Sequence, residues 1–394
     1  MSTINPGPRP ASRRTARALR IAQVAPPLER VPPVAYGGTE RVVHELTVEL
    51  LQRGHDVTLF ASGDSNAPGK HVVTVPEALR PIGFGGDSSP YFTVTMLEVL
   101  RRAEDFDVIH SHLELHSVLL GRASPTPVVS TFHGRLDSAI ARQALVDPPP
   151  GLVAIRQSQA RPHPEVPWTI IYNGLNLTGS PFRQRRSNDL CFVGRFSLEK
   201  GLIEAIQTAK IAGRKLRVAA KIGTMPDEKA WYEQVGKPAL NDPNVEYLGE
   251  LNTTERDQLM ADSYATLMPG SWPEPFGLVA IESLACGTPV IARRVGALPE
   301  IIREGVDGFF GDDPKGMAFQ LEGVAELDRL HIRESVLQRF SASRMADDYE
   351  RLYASQLGEQ FLEPPEAEPP PRRLHSVGPG RLSADAQEAG RRSG

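Results

Sequence analysis

The chain has 394 residues, enough for two or three domains, and its hydrophobic (40%) and charged (23%) fractions are those of an ordinary globular protein. A net charge of −4 provides no basic field for nucleic acid, and two cysteines, Cys191 and Cys286, exclude a disulfide framework or a cysteine-rich metal site. The negative net charge predicts no nucleic-acid partner. No apolar run reaches the ~18 residues of a transmembrane helix. We therefore expect a cytoplasmic protein, and a peripheral contact with the membrane stays open.

Glycine and proline are in excess: 34 glycines and 35 prolines are about 17.5% of the 394 residues, against a usual share of ~12%. Part of the excess lies at the ends. Residues 1–18 combine three prolines with four arginines and no acid, and residues 361–394 carry six prolines. We predict a disordered arm over 1–18 and a disordered tail over 361–394, because neither segment can bury an apolar face.

The first half of the remaining chain alternates strand and helix signals. Thr39–Arg53 places Val42, Leu46 and Leu50 on one face of a helix that Gly54 ends. Short apolar runs predict strands at Leu19–Ala25, Val57–Ala61, Asp107–His110, Pro127–Thr131, Leu152–Ile155 and Trp168–Tyr172. We therefore predict a Rossmann-like, doubly wound α/β domain over 19–175.

A polar, arginine-rich linker is predicted over 176–188, after which the alternation restarts. Helices are predicted at Leu198–Ala212, Glu228–Leu240 and Gly277–Ala285. Strands are predicted at Asp189–Val193, Lys215–Ala219, Val245–Leu248, Ala265–Met268 and Pro289–Ala292. A second Rossmann-like domain over 189–344 follows, and two such domains leave a cleft at the carboxyl ends of their strands, where α/β folds bind ligands.

Cations and glycines mark several of these strand ends. Gly37-Gly38 opens the first helix, where backbone can approach an anion closely, although a plain turn is equally open. Arg195 and Lys200 stand at a strand end and at the start of the next helix, where the helix dipole disfavours cations. A diphosphate between them would explain the placement; the alternative is a surface basic pair.

Two carboxylates, Glu274 and Glu282, are separated by seven residues across a loop and a helix. Glu282 lies beside an apolar stripe, where a carboxylate needs a partner such as a ligand hydroxyl. The N–H groups of Phe276–Val279 can hold phosphate. His133 follows a strand and should reach the cleft, unless it is a structural histidine.

Two possible metal sites are weaker. His110, His112 and His116 surround one strand end, but their spacing does not define a zinc site. Asp312-Asp313 is typical of a turn. We expect no metal and no cofactor.

Together these segments resemble a retaining glycosyltransferase of family 4, with the two-domain GT-B architecture, and the resemblance covers the whole core. The motifs that carry it are Gly37-Gly38, Thr131-Phe-His133-Gly, Asn173-Gly174, Gly194-Arg195 to Lys200-Gly201, and Glu274 with Glu282. The stretch from Asn241 to Gly249 and the loop before Gly277 are similar to a bacterial subgroup with antibiotic-tailoring members.

The resemblance implies roles for these residues. His133 and Glu274 would contact the transferred sugar at the reacting centre, beside Phe276, and Glu282 would hold the ribose. The donor diphosphate would be bound by Arg195, Lys200, Gly37, Gly38, Gly277 and Leu278. A last helix, around Met345–Gln356 within 345–360, would cross back to the first domain.

The implied activity is retaining, metal-independent transfer from a nucleotide-diphosphate sugar, expected to be a UDP-sugar, to a hydroxyl of a glycan, lipid-linked or small-molecule acceptor. A GT-B nucleotide-sugar epimerase and a non-catalytic sugar-nucleotide-binding protein are the alternatives. Asn176 and Arg156 depart from the family pattern, where an acid and a serine are commoner, and both border the acceptor side or the hinge.

Overall fold

The computed structural model of the protein describes residues 17–34, 37–185, 187–223 and 226–358. The predicted arm, apart from residues 17 and 18, and the predicted tail lie outside these residues. The described chain folds into two parallel sheets with helices packed against them. Across the described ranges, none of the helices combines the length and apolar character needed to cross a bilayer.

The first sheet comes from the N-terminal half of the described chain. Its strands are β1 (Arg20–Val24), β2 (Asp56–Ser62), β3 (Lys70–Val75), β4 (Val108–Ser111), β5 (Val128–Phe132), β6 (Leu152–Ala154) and β7 (Thr169–Ile170). The helices between them are α1 (Gly38–Gln52), α2 (Ser89–Leu100), α3 (His116–Ala123), α4 (Ala139–Ala144) and α5 (Gln157–Ala160), with a 3₁₀ turn at Ala103–Asp105. The strand order is β3-β2-β1-β4-β5-β6-β7, so the chain changes direction between β1 and β4.

The second sheet repeats this plan. Its strands are β8 (Leu190–Phe196), β9 (Leu216–Ile222), β10 (Val245–Tyr247), β11 (Ala265–Met268), β12 (Val290–Ala292) and β13 (Gly308–Phe310). The helices are α6 (Leu202–Ile211), α7 (Pro226–Trp231), α8 (Lys237–Ala239), α9 (Thr253–Asp262), α10 (Leu278–Ala285), α11 (Leu298–Ile301), α12 (Pro314–Gln320), α13 (Arg329–Arg339) and α14 (Ala342–Gln356). Further 3₁₀ turns lie at Leu198–Lys200 and Gly323–Glu326, and the order β10-β9-β8-β11-β12-β13 changes direction between β8 and β11. The predicted pair of doubly wound sheets is confirmed.

Both faces of the first sheet are buried, which explains why its strands read as continuous apolar runs. Ile21 in β1 belongs to a core that includes Leu46 of α1, whereas its neighbour Ala22 belongs to a separate core that includes Phe92 of α2. Successive side chains of a strand point to opposite faces, so each face packs against its own helix.

The predicted strands are present within three residues of their expected bounds, but three helices differ. The helix expected from Leu198 begins at Leu202. Gly201 takes a left-handed φ of +76° and separates a 3₁₀ turn from the α-helix. The helix expected over Glu228–Leu240 contains a π-helical segment, Tyr232–Gly236. The helix expected from Gly277 begins at Leu278. Strands β3 and β13 and helices α2 to α5, α9 and α11 to α13 were not predicted.

Helix α14 returns to the first sheet's domain and is fixed there by buried charges. The carboxylate of Glu350, which is fully buried, accepts hydrogen bonds from Arg53 Nη1 at 2.5 Å and from His55 Nε2 at 2.8 Å. Arg53 Nη1 also donates to Asp347 at 2.6 Å. Because His55 Nδ1 accepts from the backbone N–H of Leu19 at 3.0 Å, its Nε2 carries the proton that Glu350 accepts.

Candidate active site

The predicted site residues gather at the carboxyl ends of the central strands of both sheets. Gly38 begins α1 after β1, His133 follows β5, and Lys200 ends the turn after β8. The two halves approach closely here: a Cβ added to Gly38 would lie 3.4 Å from Cδ1 of Leu278 at the start of α10. The Gly37-Gly38 loop therefore faces the N-terminus of α10 across the cleft.

Arg195 and Lys200 lie on the second-sheet side, and both are paired with acids. Arg195 Nη2 lies 3.2 Å from Glu199 Oε1, and its Nε lies 2.9 Å from Glu228 Oε1. Lys200 Nζ donates to the carboxylate of Glu274. The two predicted diphosphate ligands thus stand at one strand end, with Glu274 joined directly to one of them.

Glu282 is 3% exposed and lies in α10, on the apolar side that the sequence indicated. Its Oε1 lies 2.9 Å from Arg256 Nη2 and also accepts from Arg41 Nη1. Arg41 belongs to α1 and Arg256 to α9, so the predicted ribose ligand currently holds two cations, one of them from across the cleft. Sequence reasoning identified neither arginine.

The start of α10 is shaped by Gly277, whose φ of +85° suits glycine. The first N–H groups of such a helix have no acceptor within it and can receive an anion. The Phe276 side chain is buried against Phe340, with ring centroids 5.9 Å apart, so Phe276 faces the core and can serve a ligand through its backbone.

His133 is held from two directions. Its backbone N–H and that of Gly134 donate to Glu114 Oε1, at 2.9 and 3.1 Å. Glu114 adopts a φ of +53°, a strained conformation for a residue with a side chain. Burial raises the pKa of Glu114 to about 7, although these N–H groups favour its ionised form.

A buried hydrogen-bond chain continues from the His133 ring into the fold. His133 Nε2 lies 2.9 Å from His112 Nδ1, and His112 Nε2 lies 3.0 Å from Gln23 Oε1. Gln23 Nε2 lies 3.3 Å from His110 Nδ1, which lies 2.7 Å from the hydroxyl of Tyr353 in α14. The chain therefore joins the candidate site to the C-terminal helix.

This arrangement determines the tautomer of His133. An amide oxygen only accepts, so His112 Nε2 carries a proton; burial lowers the pKa of His112 well below its usual range, so its Nδ1 is bare. His133 must then donate through Nε2. Because burial lowers the pKa of His133 to about 3, its Nδ1 is also bare and has no hydrogen-bond partner among the described residues. It can accept a hydrogen bond from a ligand hydroxyl.

Glu40, in the first turn of α1, is a buried carboxylate that sequence reasoning missed. It is 3% exposed, and burial raises its pKa to about 7. Its Oε2 lies 3.2 Å from the position that a Gly37 Cβ would take, so it borders the glycine loop. Acids are common in the first turn of a helix because the helix dipole favours them there, so the sequence gives no reason to single out Glu40.

The weaker metal candidates are not assembled. His116 stacks on Phe92, with ring centroids 4.5 Å apart, away from the hydrogen-bonded His110 and His112. Asp313 caps α12 by accepting from Gly316 N at 2.7 Å. Within the described ranges, no three His, Cys, Asp or Glu side chains form a potential metal cluster.

Comparison with known proteins decides the class. Residues 36–178 match the model "Glycosyltransferase Family 4", and residues 180–327 match "Glycosyl transferases group 1". The chain is a GT-B glycosyltransferase. The enzyme is 28% identical over 333 residues to glycogen synthase of Mycobacterium tuberculosis, a match that spans 70% of this chain and 79% of that protein. These similarities support a hexosyltransferase.

Solved structures share the fold of this glycosyltransferase. AviGT4, a glycosyltransferase of avilamycin A biosynthesis, is 25% identical and superimposes with a TM-score of 0.63, covering 86% of this chain and 98% of that one. Anabaena HepE, solved in complex with UDP and glucose, is 17% identical with a TM-score of 0.64, covering 86% of this chain and all of that one.

Proposed function

We propose that this glycosyltransferase moves a sugar from a UDP-sugar to an acceptor hydroxyl, with retention of anomeric configuration and without a metal. The observation that supports this most is the meeting of Arg195, Lys200, Glu274 and the N-terminus of α10 at one strand end, opposite the Gly37-Gly38 loop. UDP is proposed because HepE, which shares the fold, was solved with UDP and glucose.

Binding of the diphosphate would exchange ion-pair partners. Phosphate oxygens between Arg195 and Lys200 would replace Glu274 at the Lys200 ammonium. The released Glu274 carboxylate could then accept from sugar hydroxyls. Glu282 would exchange Arg41 for the ribose hydroxyls in the same way, while Arg256 stays beside it. The site would thus be positioned before the donor arrives, with acids as temporary partners of its cations.

Transfer would then rest on electrostatic stabilisation of the leaving group. The bond from the anomeric carbon to the diphosphate breaks, and a bond to the acceptor oxygen forms on the same face of the sugar. The acceptor proton passes to the departing phosphate oxygen. Arg195, Lys200 and the α10 N–H groups stabilise the developing charge, which is the role that preorganised donors and cations play in catalysis. His133 Nδ1 accepts from a sugar hydroxyl and so orients the ring.

Calorimetry with UDP, GDP and ADP tests the donor assignment. Arg195→Ala should weaken UDP binding at least tenfold, since a charge-assisted hydrogen bond contributes ~1.5–3 kcal/mol. Lys210→Ala is the matched control, because Lys210 pairs with Asp242 in an exposed position. Equal UDP affinity in the two variants would refute the assignment.

The reaction itself is tested with UDP-sugars and a panel of acceptors, with products followed by NMR. We expect an α-linked donor to give an α-linked product, at the same rate with and without EDTA. An inverted product, or a rate lost to EDTA, would refute retention or metal independence. Conversion of the UDP-sugar without any acceptor would indicate an epimerase.

A further inference from the structure

Arg156 is a buried cation that the proposed transfer does not use. It follows β6 and precedes α5, and it is 5% exposed. Its Nη1 donates to the backbone carbonyl of Glu274 at 2.8 Å, whereas its Nε is buried without a hydrogen-bond partner. In the described part of the chain it forms no ion pair, and a buried charge without a counter-ion is costly.

The acids around Arg156 have other partners. Glu300 accepts from the N–H groups of Gln157 and Ser158, both at 2.8 Å, and thereby caps α5 from the second domain. Asp137 pairs with Arg135, and the carboxylate of Glu274 pairs with Lys200. The guanidinium is therefore surrounded by acids that are already engaged.

The position of Arg156 is between the two loops that carry the candidate sugar-contacting residues. Gln159, three residues on, donates to the carbonyls of Phe132 and Gly134, at 2.9 and 2.6 Å, on either side of His133. Arg156 itself bonds to the Glu274 loop. Its side chain consequently lies beside the place where a transferred sugar would meet an acceptor.

We propose that Arg156 binds an anionic group, a phosphate or a carboxylate, on the sugar acceptor. This rests on the proposed function. The donor diphosphate has its own cations, Arg195 and Lys200, on the second sheet, so an anion at Arg156 is a second one. A planar guanidinium binds either a phosphate or a carboxylate through paired N–H donors, and such a ligand would give the Nε of Arg156 a hydrogen-bond acceptor. Arg135, on the loop that follows His133, is stacked 4.9 Å over Trp272 and is already paired with Asp137, so Arg156 is the cation that the proposal uses.

The test uses the full chain saturated with UDP, titrated by calorimetry with inorganic phosphate, malonate or uncharged glycerol. We expect phosphate or malonate to bind saturably and glycerol not to bind; the stronger of the two anions indicates whether the acceptor group is a phosphate or a carboxylate. Arg156→Gln, which retains a donor for the Glu274 carbonyl, should weaken anion binding at least tenfold and leave UDP affinity unchanged. The exposed Arg142→Gln is the matched control.

Several results would overturn the proposal: no anion binding to the UDP-saturated chain, equal anion affinity in wild type and Arg156→Gln, or anion binding that competes with UDP. Arg156→Lys keeps the charge without the planar fork and should retain part of the affinity, which separates a binding defect from misfolding. If UDP fails to bind while the anion still binds through Arg156, the proposed donor is wrong and the anion site stands.

Discussion

His133 Nε2 and His112 Nδ1 lie 2.9 Å apart, and this contact joins the candidate site to a hydrogen-bond chain that ends at Tyr353 of α14. The side chain nearest to the proposed sugar is thus oriented from the last helix of the described chain. Its Nδ1 is left as an acceptor because His112 Nε2 donates to Gln23 Oε1, so that His112 Nδ1 accepts from His133 Nε2.

The first prediction is that His112→Phe disturbs the tautomer of His133. Without the acceptor at His112 Nδ1, the His133 proton is no longer directed to Nε2, and ¹⁵N NMR should show a mixture of tautomers. We expect kcat to fall about tenfold, because a hydrogen bond that orients the sugar contributes about 1 kcal/mol and about 1.4 kcal/mol is tenfold in rate, with the KM for the donor little changed. His116→Phe is the control, because His116 stacks on Phe92 outside the chain. A single unchanged tautomer in His112→Phe would contradict the prediction.

The second prediction concerns the clamp between Glu350 and Arg53. Glu350→Ala removes one of the two carboxylates that pair with Arg53 Nη1 and leaves Asp347 as the other. It also removes the hydrogen-bond acceptor of His55 Nε2. Because Arg53 keeps Asp347, the cost is that of the two charge-assisted hydrogen bonds that Glu350 accepts, about 3 kcal/mol of the free energy of unfolding. Urea denaturation should show this loss. Arg53→Met with Glu350→Leu should recover part of it, since the buried guanidinium is removed together with its lost partner; a double variant as unstable as Glu350→Ala would count against this pairing.

The third prediction tests the closeness of Gly38 and Leu278. Gly38→Val places methyl groups beyond a Cβ that already lies 3.4 Å from Leu278 Cδ1, so the glycine loop must move away from α10. We expect kcat/KM with the donor to fall about 10–100-fold, the scale of a small misplacement at a reacting site. Leu278→Ala removes the obstructing methyl group and should restore part of the activity of Gly38→Val. No restoration in the double variant would mean that the loop acts otherwise.

The sequence was sufficient for the sheets because apolar runs and glycine punctuation are local signals. Gly54 ends α1 with a φ of +91°, as expected, and β11 has its predicted bounds. Strand β3 was missed although it contains Val72, Val73 and Val75; it begins with the polar pair Lys70-His71, and its first half is largely exposed. Helix α6 was placed too early because Gly201 looks like an ordinary helix residue until its left-handed φ is known.

The partners of the site residues could not be predicted, because they come from distant parts of the chain. Glu282 stood out as a carboxylate on an apolar face. Its partner Arg41 precedes it by 241 residues, and its partner Arg256 belongs to the preceding helix, α9. His110 and His112 were singled out as a cluster whose spacing does not define a metal site; their partner Gln23, a polar residue in a buried strand, carries no spacing signal at all. The partners of Glu282, His110 and His112 are therefore set by tertiary contacts.

The last prediction uses the raised pKa of Glu40, about 7 against the ordinary 4.5. Burial is the main cause, and the neighbouring Glu29 and Glu114 add to it; the backbone N–H of Glu40 and the charge of Arg80 favour the ionised form but do not offset burial. The native state therefore holds the proton more tightly than the unfolded state, and this group costs stability as the pH rises from about 4.5 to 7. Glu40→Gln removes the titration, so its gain in the free energy of unfolding over wild type should be about 2–3 kcal/mol larger at pH 8 than at pH 5.

Urea denaturation of both proteins at the two pH values measures the difference. Buried His110, His112 and His133 have lowered pKa values and shift stability in the opposite direction, losing it as the pH falls below about 6.5. They are the same in wild type and variant, so the subtraction cancels them. A gain that is equal at pH 5 and pH 8 would show that Glu40 keeps an ordinary pKa, and that the glycine loop has a carboxylate beside it at every assay pH.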